Sequence, residues 1–184
     1  MKTVGDKIEP FKVVGVKPGF VEDTQVGISA FEQLTDQSFP GQWKVIYFFP
    51  KTFTFVCPTE IMAYDSLVKE FADRNAVLLG GSTDNEFTHL AWRQHHEGLG
   101  KTSHWSFADT RRDDLSLANQ LGILHESGVA LRATFIVDPD NVIQHVTVNN
   151  LDVGRNSQET VRILDALQTG ALCACNREAG GSTL

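Results

Sequence analysis

Three cysteines are the residues of this 184-residue chain best suited to covalent and redox chemistry. A cysteine thiolate is both a nucleophile and a metal ligand. Cys57 stands by itself, whereas Cys173 and Cys175 form a Cys-x-Cys pair near the C-terminus. An odd, small number of cysteines does not suggest a secreted disulfide scaffold. Each cysteine is therefore a buried bystander, a metal ligand or a catalyst, and its neighbours decide between these alternatives.

The position of Cys57 favours a reactive thiolate. It follows a strand pattern and a loop, and it comes immediately before Pro58, a residue favoured at the first position of a helix. Backbone N–H groups at a helix N-terminus are unpaired, and together with the helix dipole they favour an anion. A thiolate is therefore stabilised here, and the thiolate is the attacking form of cysteine.

The segment before Cys57 has a specific spacing. Pro50, Thr54 and Cys57 form the pattern Pro-x-x-x-Thr-x-x-Cys, which matches the signature of the peroxiredoxins. The chain resembles the C-subunit type of bacterial alkyl hydroperoxide reductase, a 2-Cys peroxiredoxin, over nearly its whole length. The segments that carry this resemblance are residues 53–60, 132–138, 153–156 and 172–176.

The resemblance implies a role for each residue of the site. Cys57 would attack the terminal oxygen of a hydroperoxide and become a sulfenic acid. The Thr54 hydroxyl would donate to the thiolate or hold the peroxide oxygens, and the rigid Pro50, which has no N–H, would shield the sulfenate. Arg132 matches the family arginine that faces the thiolate, where its guanidinium can also stabilise charge moving onto the leaving oxygen.

Two further residues would support this arrangement. By the same resemblance, Glu60 and Arg155 form an ion pair or a hydrogen-bond network beside the thiolate. Glu60 also argues against a rival function, because it stands where a thioredoxin helix that opens with Cys-x-x-Cys has its second cysteine. A local disulfide with Cys57 is therefore impossible, and a simple disulfide exchanger is disfavoured.

The sulfenic acid needs a second thiol to restore it, and the two C-terminal cysteines are the candidates. The resemblance implies that the tail of one subunit reaches Cys57 of its neighbour in an antiparallel dimer. Cys173 aligns with the resolving position, and Cys175 would be an additional thiol that passes the disulfide to an external reductant. The chain lacks the Tyr-Phe tail of peroxide-sensitive eukaryotic relatives, so we expect resistance to over-oxidation.

The implied partners follow from the same resemblance. The substrates would be hydrogen peroxide and alkyl hydroperoxides, and the dimers would assemble into a decameric or dodecameric ring. The reductant would be a Cys-x-x-Cys alkylhydroperoxidase-like protein, thioredoxin, or a flavoprotein of the F-subunit type. A ring-assembled chaperone or redox-signalling protein remains a secondary alternative, which peroxide consumption with a dithiol reductant would separate from the peroxidase.

The elements that must position these residues alternate along the chain. This order predicts an α/β fold with a mixed central sheet flanked by helices, and it is also the thioredoxin pattern. Apolar and β-branched runs predict strands at 44–49, 76–82, 133–138 and 142–148, the last two as an antiparallel hairpin around residues 139–141. Apolar residues at helical spacing predict helices at 58–73, 85–96, 112–121 and 156–168. We expect a thioredoxin-like peroxiredoxin domain over residues 1–169 and a mobile tail over residues 170–184.

Composition narrows the remaining function classes. The net charge of -7 argues against nucleic acid as the main partner. The N-terminus has no apolar region typical of a secretory signal, and no apolar run approaches the roughly 18 residues of a spanning helix. A cytoplasmic protein is the expectation.

Two other motifs do not carry a function. Cys-x-Cys without a second Cys-x-x-Cys or His-x-x-x-His pair is not typical of zinc, and the adjacent His95 and His96 project in different directions on a helix. A phosphate loop at residues 98–102 would need glycine where His95 stands, and it would need a preceding strand. We therefore expect no metal, haem or flavin, because the sulfur of Cys57 carries the redox chemistry.

Overall fold

The computed structural model describes residues 1–20 and 30–184. Its strands are β1 (Lys12–Val16), β2 (Phe31–Thr35), β3 (Trp43–Phe48), β4 (Ala76–Ser82), β5 (Trp105–Ala108), β6 (Arg132–Val137) and β7 (Ile143–Asn149). Its helices are α1 (Cys57–Asp65), α2 (Val68–Asp73), α3 (Glu86–His95), α4 (Leu117–Leu121) and α5 (Ser157–Gln168). None of the helices in these two ranges is long and apolar enough to cross a membrane.

The described strands form one mixed sheet in the order β2-β1-β5-β4-β3-β6-β7. β4 runs parallel to its neighbours β3 and β5, whereas the other adjacent strands are antiparallel. β6 and β7 form the hairpin expected around residues 139–141. The prediction of an α/β fold with a mixed central sheet is therefore confirmed.

Helices cover both faces of the sheet. Successive residues of β3 point to opposite sides and show which helices lie on each face. Val45 and Tyr47 belong to an apolar cluster that includes residues of α1, α2, α3 and α5. Ile46 and Phe48 belong to a second cluster, on the other face, which includes residues of α4. Cys57 lies in the first cluster, so the face with four helices also carries the predicted nucleophile.

Two neighbouring glycines of β4 leave room for one aromatic ring on each face. A Cβ atom at Gly80 would overlap the ring of Tyr47, and a Cβ atom at Gly81 would overlap the ring of Phe107. Both rings are fully buried, with 0% and 1% exposure. Tyr47 and Phe107 are therefore similarly buried, each against a glycine of β4, although only Tyr47 lies on the face that carries Cys57.

Two of the predicted helices are wrong in their extent. The helix predicted at 58–73 is divided into α1 and α2 at Ser66 and Leu67, where the hydroxyl of Ser66 donates to the carbonyl of Ala63 at 2.7 Å. The helix predicted at 112–121 begins only at Leu117, because Ser116 caps it by accepting a hydrogen bond from the N–H of Asn119. The helices predicted at 85–96 and 156–168 are confirmed, with Asn85 and Asn156 as their N-caps.

The sequence patterns missed three strands, β1, β2 and β5. Two of them, β1 and β2, lie at one end of the sheet, and β5 joins them to β4. Each of the three has at most five residues, and β2 reads Phe-Glu-Gln-Leu-Thr, in which only Leu34 is buried. Such short segments carry too few apolar positions to indicate a strand.

The C-terminal segment, residues 170–184, packs against α5 of its own chain. Asp165 of α5 accepts hydrogen bonds from the guanidinium of Arg177 and from the N–H of Gly180, each at 2.8 Å. Arg162 donates to the carbonyl of Arg177 at 3.1 Å. The predicted boundary at residue 169 coincides with the end of α5, whereas the mobility of the segment stays a prediction.

Candidate active site

Cys57 is the first residue of α1 and is completely buried. Pro58 takes the second helical position rather than the predicted first one. Val56 occupies the N-cap position, and its side chain makes no capping hydrogen bond. The positive end of the helix dipole therefore faces the sulfur without a capping side chain in between, which favours the thiolate.

Arg132 contacts the sulfur directly from the start of β6. Its Nη1 donates to the Sγ of Cys57 at 3.4 Å and to the Oε2 of Glu60 at 2.7 Å. Its Nε donates to the carbonyl of Leu151 at 2.6 Å. Burial lowers the pKa of Arg132, but the hydrogen bond and charge of Cys57, together with Glu60, outweigh burial and raise the pKa overall. The guanidinium is therefore fixed at both ends and stays charged.

Glu60 links Arg132 to Arg155. Its Oε1 accepts hydrogen bonds from the Nε of Arg155 at 2.8 Å and from the N–H of the same residue at 3.0 Å. Its Oε2 accepts from the Nη2 of Arg155 at 2.9 Å. Burial raises the pKa of Glu60, but the hydrogen bonds and charges of Arg155 and Arg132 outweigh it, so the pKa is lowered. The carboxylate is therefore ionised.

We refer to Arg132, Glu60 and Arg155 as the charge cluster. The side chains of all three are at most 5% exposed. Two guanidinium groups and one carboxylate carry a net charge of +1, and buried charges are stable only when they are paired. A thiolate at Cys57 would bring this balance to zero.

The loop between β3 and α1, residues 49–56, is called the site loop. The N–H of Thr52 donates to the Oδ2 of Asp84 at 2.7 Å, and Asp84 also accepts from the hydroxyl of Ser82 at 2.9 Å. The hydroxyl of Thr54 donates to the carbonyl of Lys51 at 2.9 Å. The partly buried Pro50 lies two residues after the end of β3. The predicted roles of Thr54 and Pro50 toward the thiolate and the peroxide stay predictions.

Comparison with known proteins identifies the family of this chain. Residues 4–146 match the family described as AhpC/TSA. The chain belongs to the AhpC/TSA family. The alkyl hydroperoxide reductase C of Mycolicibacterium smegmatis is 44% identical over 184 residues, which cover 99% of this chain and 93% of the relative. Peroxiredoxin TSA1 of Saccharomyces cerevisiae is 40% identical over 169 residues, which cover 88% of this chain and 85% of the relative.

A solved structure extends the likeness to three dimensions. The structure of Mycobacterium tuberculosis AhpC has a TM-score of 0.86 and 43% identity, and the match covers 95% of this chain and 97% of that one. The predicted resemblance to the C-subunit type of alkyl hydroperoxide reductase is therefore confirmed. The predicted thioredoxin-like peroxiredoxin fold is confirmed by the same match.

Some residues of this AhpC/TSA chain were missed by the sequence patterns although they touch the site. The guanidinium carbon of Arg155 lies 5.5 Å from the ring centre of Tyr47 and 5.9 Å from that of Tyr64. Asp84 holds the site loop through Thr52. Asp84 follows β4, which is parallel to β3, and the shared carboxyl edge of two parallel strands is a signal that would have indicated it.

The tail cysteines lie apart from Cys57 within this AhpC/TSA chain. The Sγ of Cys173 donates to the carbonyl of Ala166, in α5, at 3.7 Å, and Cys175 is exposed. All three cysteines are free thiols. The structure therefore brings together Cys57, Arg132, Glu60 and Arg155, and leaves Cys173 and Cys175 outside the site of their own chain.

A metal site is not formed by the residues in ranges 1–20 and 30–184. No group of three or more histidine, cysteine, aspartate or glutamate side chains in these ranges could hold a metal ion. His95 lies at the exposed end of α3, where its Nδ1 is 2.7 Å from the carbonyl of Ala91. The expectation that the protein works without a cofactor stays a prediction.

Proposed function

We propose that this protein is a thiol peroxidase that reduces hydrogen peroxide and alkyl hydroperoxides to water and alcohols, with Cys57 as the nucleophile. The observation that carries the proposal is the contact of Arg132 Nη1 with both the Sγ of Cys57 and the carboxylate of Glu60, at 3.4 and 2.7 Å. A buried thiol held by a cation at a helix N-terminus is the arrangement that activates a cysteine. The relatives named alkyl hydroperoxide reductase C and peroxiredoxin support the substrate class.

The first chemical step is a displacement on the peroxide. The thiolate of Cys57 attacks the terminal oxygen, the S–O bond forms, and the O–O bond breaks. Cys57 becomes a sulfenic acid, and the departing alkoxide takes a proton to leave as an alcohol, or as water when the substrate is hydrogen peroxide. Arg132 stabilises the negative charge as it moves from sulfur to the leaving oxygen. Thr54 orients the peroxide and Pro50 shields the sulfenic acid.

The second step closes a disulfide and restores the enzyme. The Cys173 thiol of a neighbouring subunit condenses with the sulfenic acid, which gives an intersubunit disulfide and one water molecule. Cys175 receives the disulfide by exchange and presents it to an external dithiol protein. Two facts support this division of labour, because Cys173 lies outside the site of its own chain and Cys175 is the more exposed thiol.

Self-association follows from the same mechanism, since the resolving thiol comes from another subunit. β7 is an edge strand of seven residues, and an edge strand can pair with a second copy to form an antiparallel dimer. Phe53, Phe55 and Phe87 are 55%, 92% and 60% exposed. Exposed apolar groups of this size favour contacts between dimers in a decameric or dodecameric ring. The odd, small number of cysteines agrees with a reducing compartment such as the cytoplasm.

Peroxide consumption with dithiothreitol as reductant tests the proposal. The wild type should consume hydrogen peroxide and cumene hydroperoxide, and Cys57→Ser should lose the activity by at least about a thousandfold. Cys175→Ser is the matched control, because a small dithiol does not need the relay and the activity should be kept. Full activity of Cys57→Ser would refute the assignment.

The reductant is identified by a second measurement. Turnover would be compared with thioredoxin, a flavoprotein of the F-subunit type and a Cys-x-x-Cys alkylhydroperoxidase-like protein. The physiological class should support the fastest re-reduction, and Cys175→Ser should slow that reaction although it leaves turnover with dithiothreitol unchanged. Equal rates for wild type and Cys175→Ser with all three proteins would contradict the relay.

A further inference from the structure

A chain of buried polar side chains lies behind the charge cluster and takes no part in the reaction as proposed. The hydroxyl of Tyr47 lies 2.7 Å from the Nε2 of His104. The Nδ1 of His104 lies 2.8 Å from the Oδ1 of Asp65. Tyr47 and His104 are 0% and 2% exposed, so both side chains depend on each other rather than on solvent for hydrogen bonds.

The protonation states of Tyr47 and His104 decide which group donates each of these hydrogen bonds. Burial lowers the pKa of His104 more than Asp65 raises it, and burial raises the pKa of Tyr47 well above its usual value. Both groups are therefore neutral near pH 7. The Nδ1–H of His104 then donates to Asp65, and its Nε2 accepts the hydroxyl proton of Tyr47.

Asp65 is the last of these hydrogen-bonded side chains and is itself held in place. It is the last residue of α1, the helix that begins with Cys57. The N–H and the hydroxyl of Ser103 donate to the Oδ1 of Asp65 at 2.7 and 3.0 Å. Each polar group from Asp65 to the Tyr47 hydroxyl thus has a partner, so the position of the Tyr47 ring is fixed.

The ring of Tyr47 forms one half of what we call the tyrosine pair, Tyr47 and Tyr64. The two rings are stacked, with centres 4.2 Å apart and an angle of 15° between their planes. The hydroxyl of Tyr64 lies 3.0 Å from that of Thr134 and 3.1 Å from that of Thr160. Both hydroxyl ends of the pair are therefore held by hydrogen bonds.

The guanidinium of Arg155 lies beside this pair, 5.5 and 5.9 Å from the two ring centres. A cation within about 6 Å of an aromatic ring centre is attracted by the ring, most strongly where water is excluded. The same guanidinium donates to both oxygens of Glu60. The tyrosine pair therefore adds an aromatic contact to the hydrogen bonds that Arg155 makes with Glu60 and with the carbonyl of Ala133. Loss of that contact would loosen Arg155 and, through Glu60, Arg132.

We propose that Tyr47, held by His104 and Asp65, is a positioning residue that fixes Arg155 and thereby keeps Arg132 on the sulfur of Cys57. The inference rests on the proposed function, because its readout is the reaction of Cys57 with peroxide. The same series of contacts joins Asp65, at the end of α1, to Arg132, which contacts Cys57 at the beginning of α1.

The test compares Tyr47 with Phe107. Both are buried rings that lie against adjacent glycines of β4, but Phe107 is on the opposite face and contacts Phe48 rather than the charge cluster. Tyr47→Leu and Phe107→Leu should both lower the urea concentration at the midpoint of unfolding. Tyr47→Phe keeps the ring and removes only the bond to His104.

The rate constant of Cys57 oxidation would be measured by stopped-flow tryptophan fluorescence at several peroxide concentrations. We expect Tyr47→Leu to lower it by about tenfold or more, which matches the loss of a desolvated cation–π contact. Tyr47→Phe should recover most of this loss and remain about threefold below wild type. Phe107→Leu should stay within about twofold of wild type.

A Tyr47→Leu rate equal to that of Phe107→Leu would overturn the inference. If Tyr47→Leu does not fold, Tyr47→Phe alone is the test. A rate constant equal to that of the wild type would then contradict the inference that His104 and Asp65 hold Tyr47 in place. Failure of the proposed function would give a different result, because the wild type itself would then not be oxidised at Cys57. Mass spectrometry of the oxidised residue in the wild type distinguishes the two failures.

Discussion

Glu60 is the residue on which the other charges of the site depend. Its carboxylate accepts four hydrogen bonds, one from Arg132 and three from Arg155. Without it, two guanidinium groups would lie side by side in a buried site with no counter-charge except the thiolate. The residue that rules out a local disulfide in the sequence is therefore also the one that makes a pair of buried arginines tolerable.

Glu60→Gln should destabilise the protein strongly, because it removes the only carboxylate of the charge cluster. Breaking a buried ion pair costs about 3–5 kcal/mol in the free energy of unfolding, and urea denaturation would measure it. The matched control is Glu159→Gln, which breaks the half-exposed pair with Arg162 and should cost less than about 1 kcal/mol. Similar losses for the two variants would mean that the cluster does not depend on its carboxylate.

At the scale of elements, α3 and β4 together hold the site loop. His89 of α3 lies 3.1 Å from the hydroxyl of Ser82 at the end of β4, and its ring packs edge-on against Phe49, 5.7 Å between centres. Ser82 donates to Asp84, which in turn accepts the N–H of Thr52. The start of the loop is thus positioned by a helix and a strand distant from it in sequence.

The buried His89 should make the fold sensitive to acid. Burial lowers its pKa from 6.5 to about 4, so between these values the unfolded chain binds a proton that the folded protein does not. The contribution of His89 to the free energy of unfolding is therefore fully present above about pH 6.5 and is lost as the pH falls toward 4.

His89→Gln tests this acid sensitivity, because glutamine keeps a polar group and cannot be protonated. Between pH 7 and pH 4.5, the wild type should lose roughly 2 kcal/mol more of its free energy of unfolding than His89→Gln does. His95→Gln, at the exposed end of α3, should follow the wild type. Parallel curves for wild type and His89→Gln would show that His89 is protonated equally in both states.

The elements also show which parts of the site could be predicted from the sequence. Pro50, Thr54 and Cys57 lie within eight residues, so their spacing is visible in the sequence, and family resemblance added Arg132, Glu60 and Arg155. The hydrogen bonds from Tyr47 to His104 and Asp65 join β3, the loop before β5 and α1, and they depend on the packing of α1 on the sheet. No local pattern indicates that Tyr47 and His104, 57 residues apart, are hydrogen-bonded. β1, β2 and β5 were missed because they are short.

At the scale of the whole molecule, the C-terminal segment packs on its own chain, whereas the proposed mechanism requires it to reach another subunit. Asp165 holds it through Arg177 and Gly180, and Cys173 lies against the end of α5. Under the proposed mechanism, this segment leaves α5 before Cys173 can reach a neighbouring Cys57. Resolution is therefore a conformational step as well as a chemical one.

Cys173→Ser should make the enzyme prone to over-oxidation, because under the proposed mechanism it removes the resolving thiol. Without the resolving thiol, the sulfenic acid of Cys57 persists and reacts with a second peroxide to give sulfinic acid. Mass spectrometry after turnover at high peroxide should find mostly sulfinic Cys57 in this variant and little in the wild type or in Cys175→Ser. Non-reducing gels should show that the disulfide-linked dimer is lost only in Cys173→Ser. Rapid sulfinic acid formation in the wild type would contradict the predicted resistance.

The charge cluster has a consequence for the oxidised protein. A thiolate at Cys57 would complete the neutrality of the buried site, whereas a protonated sulfenic acid carries no charge. Oxidation therefore leaves the cluster with one buried positive charge that has no counter-ion. Under the proposed mechanism, the burial of the start of α1 becomes less favourable at the step at which Cys173 of another subunit must reach Cys57.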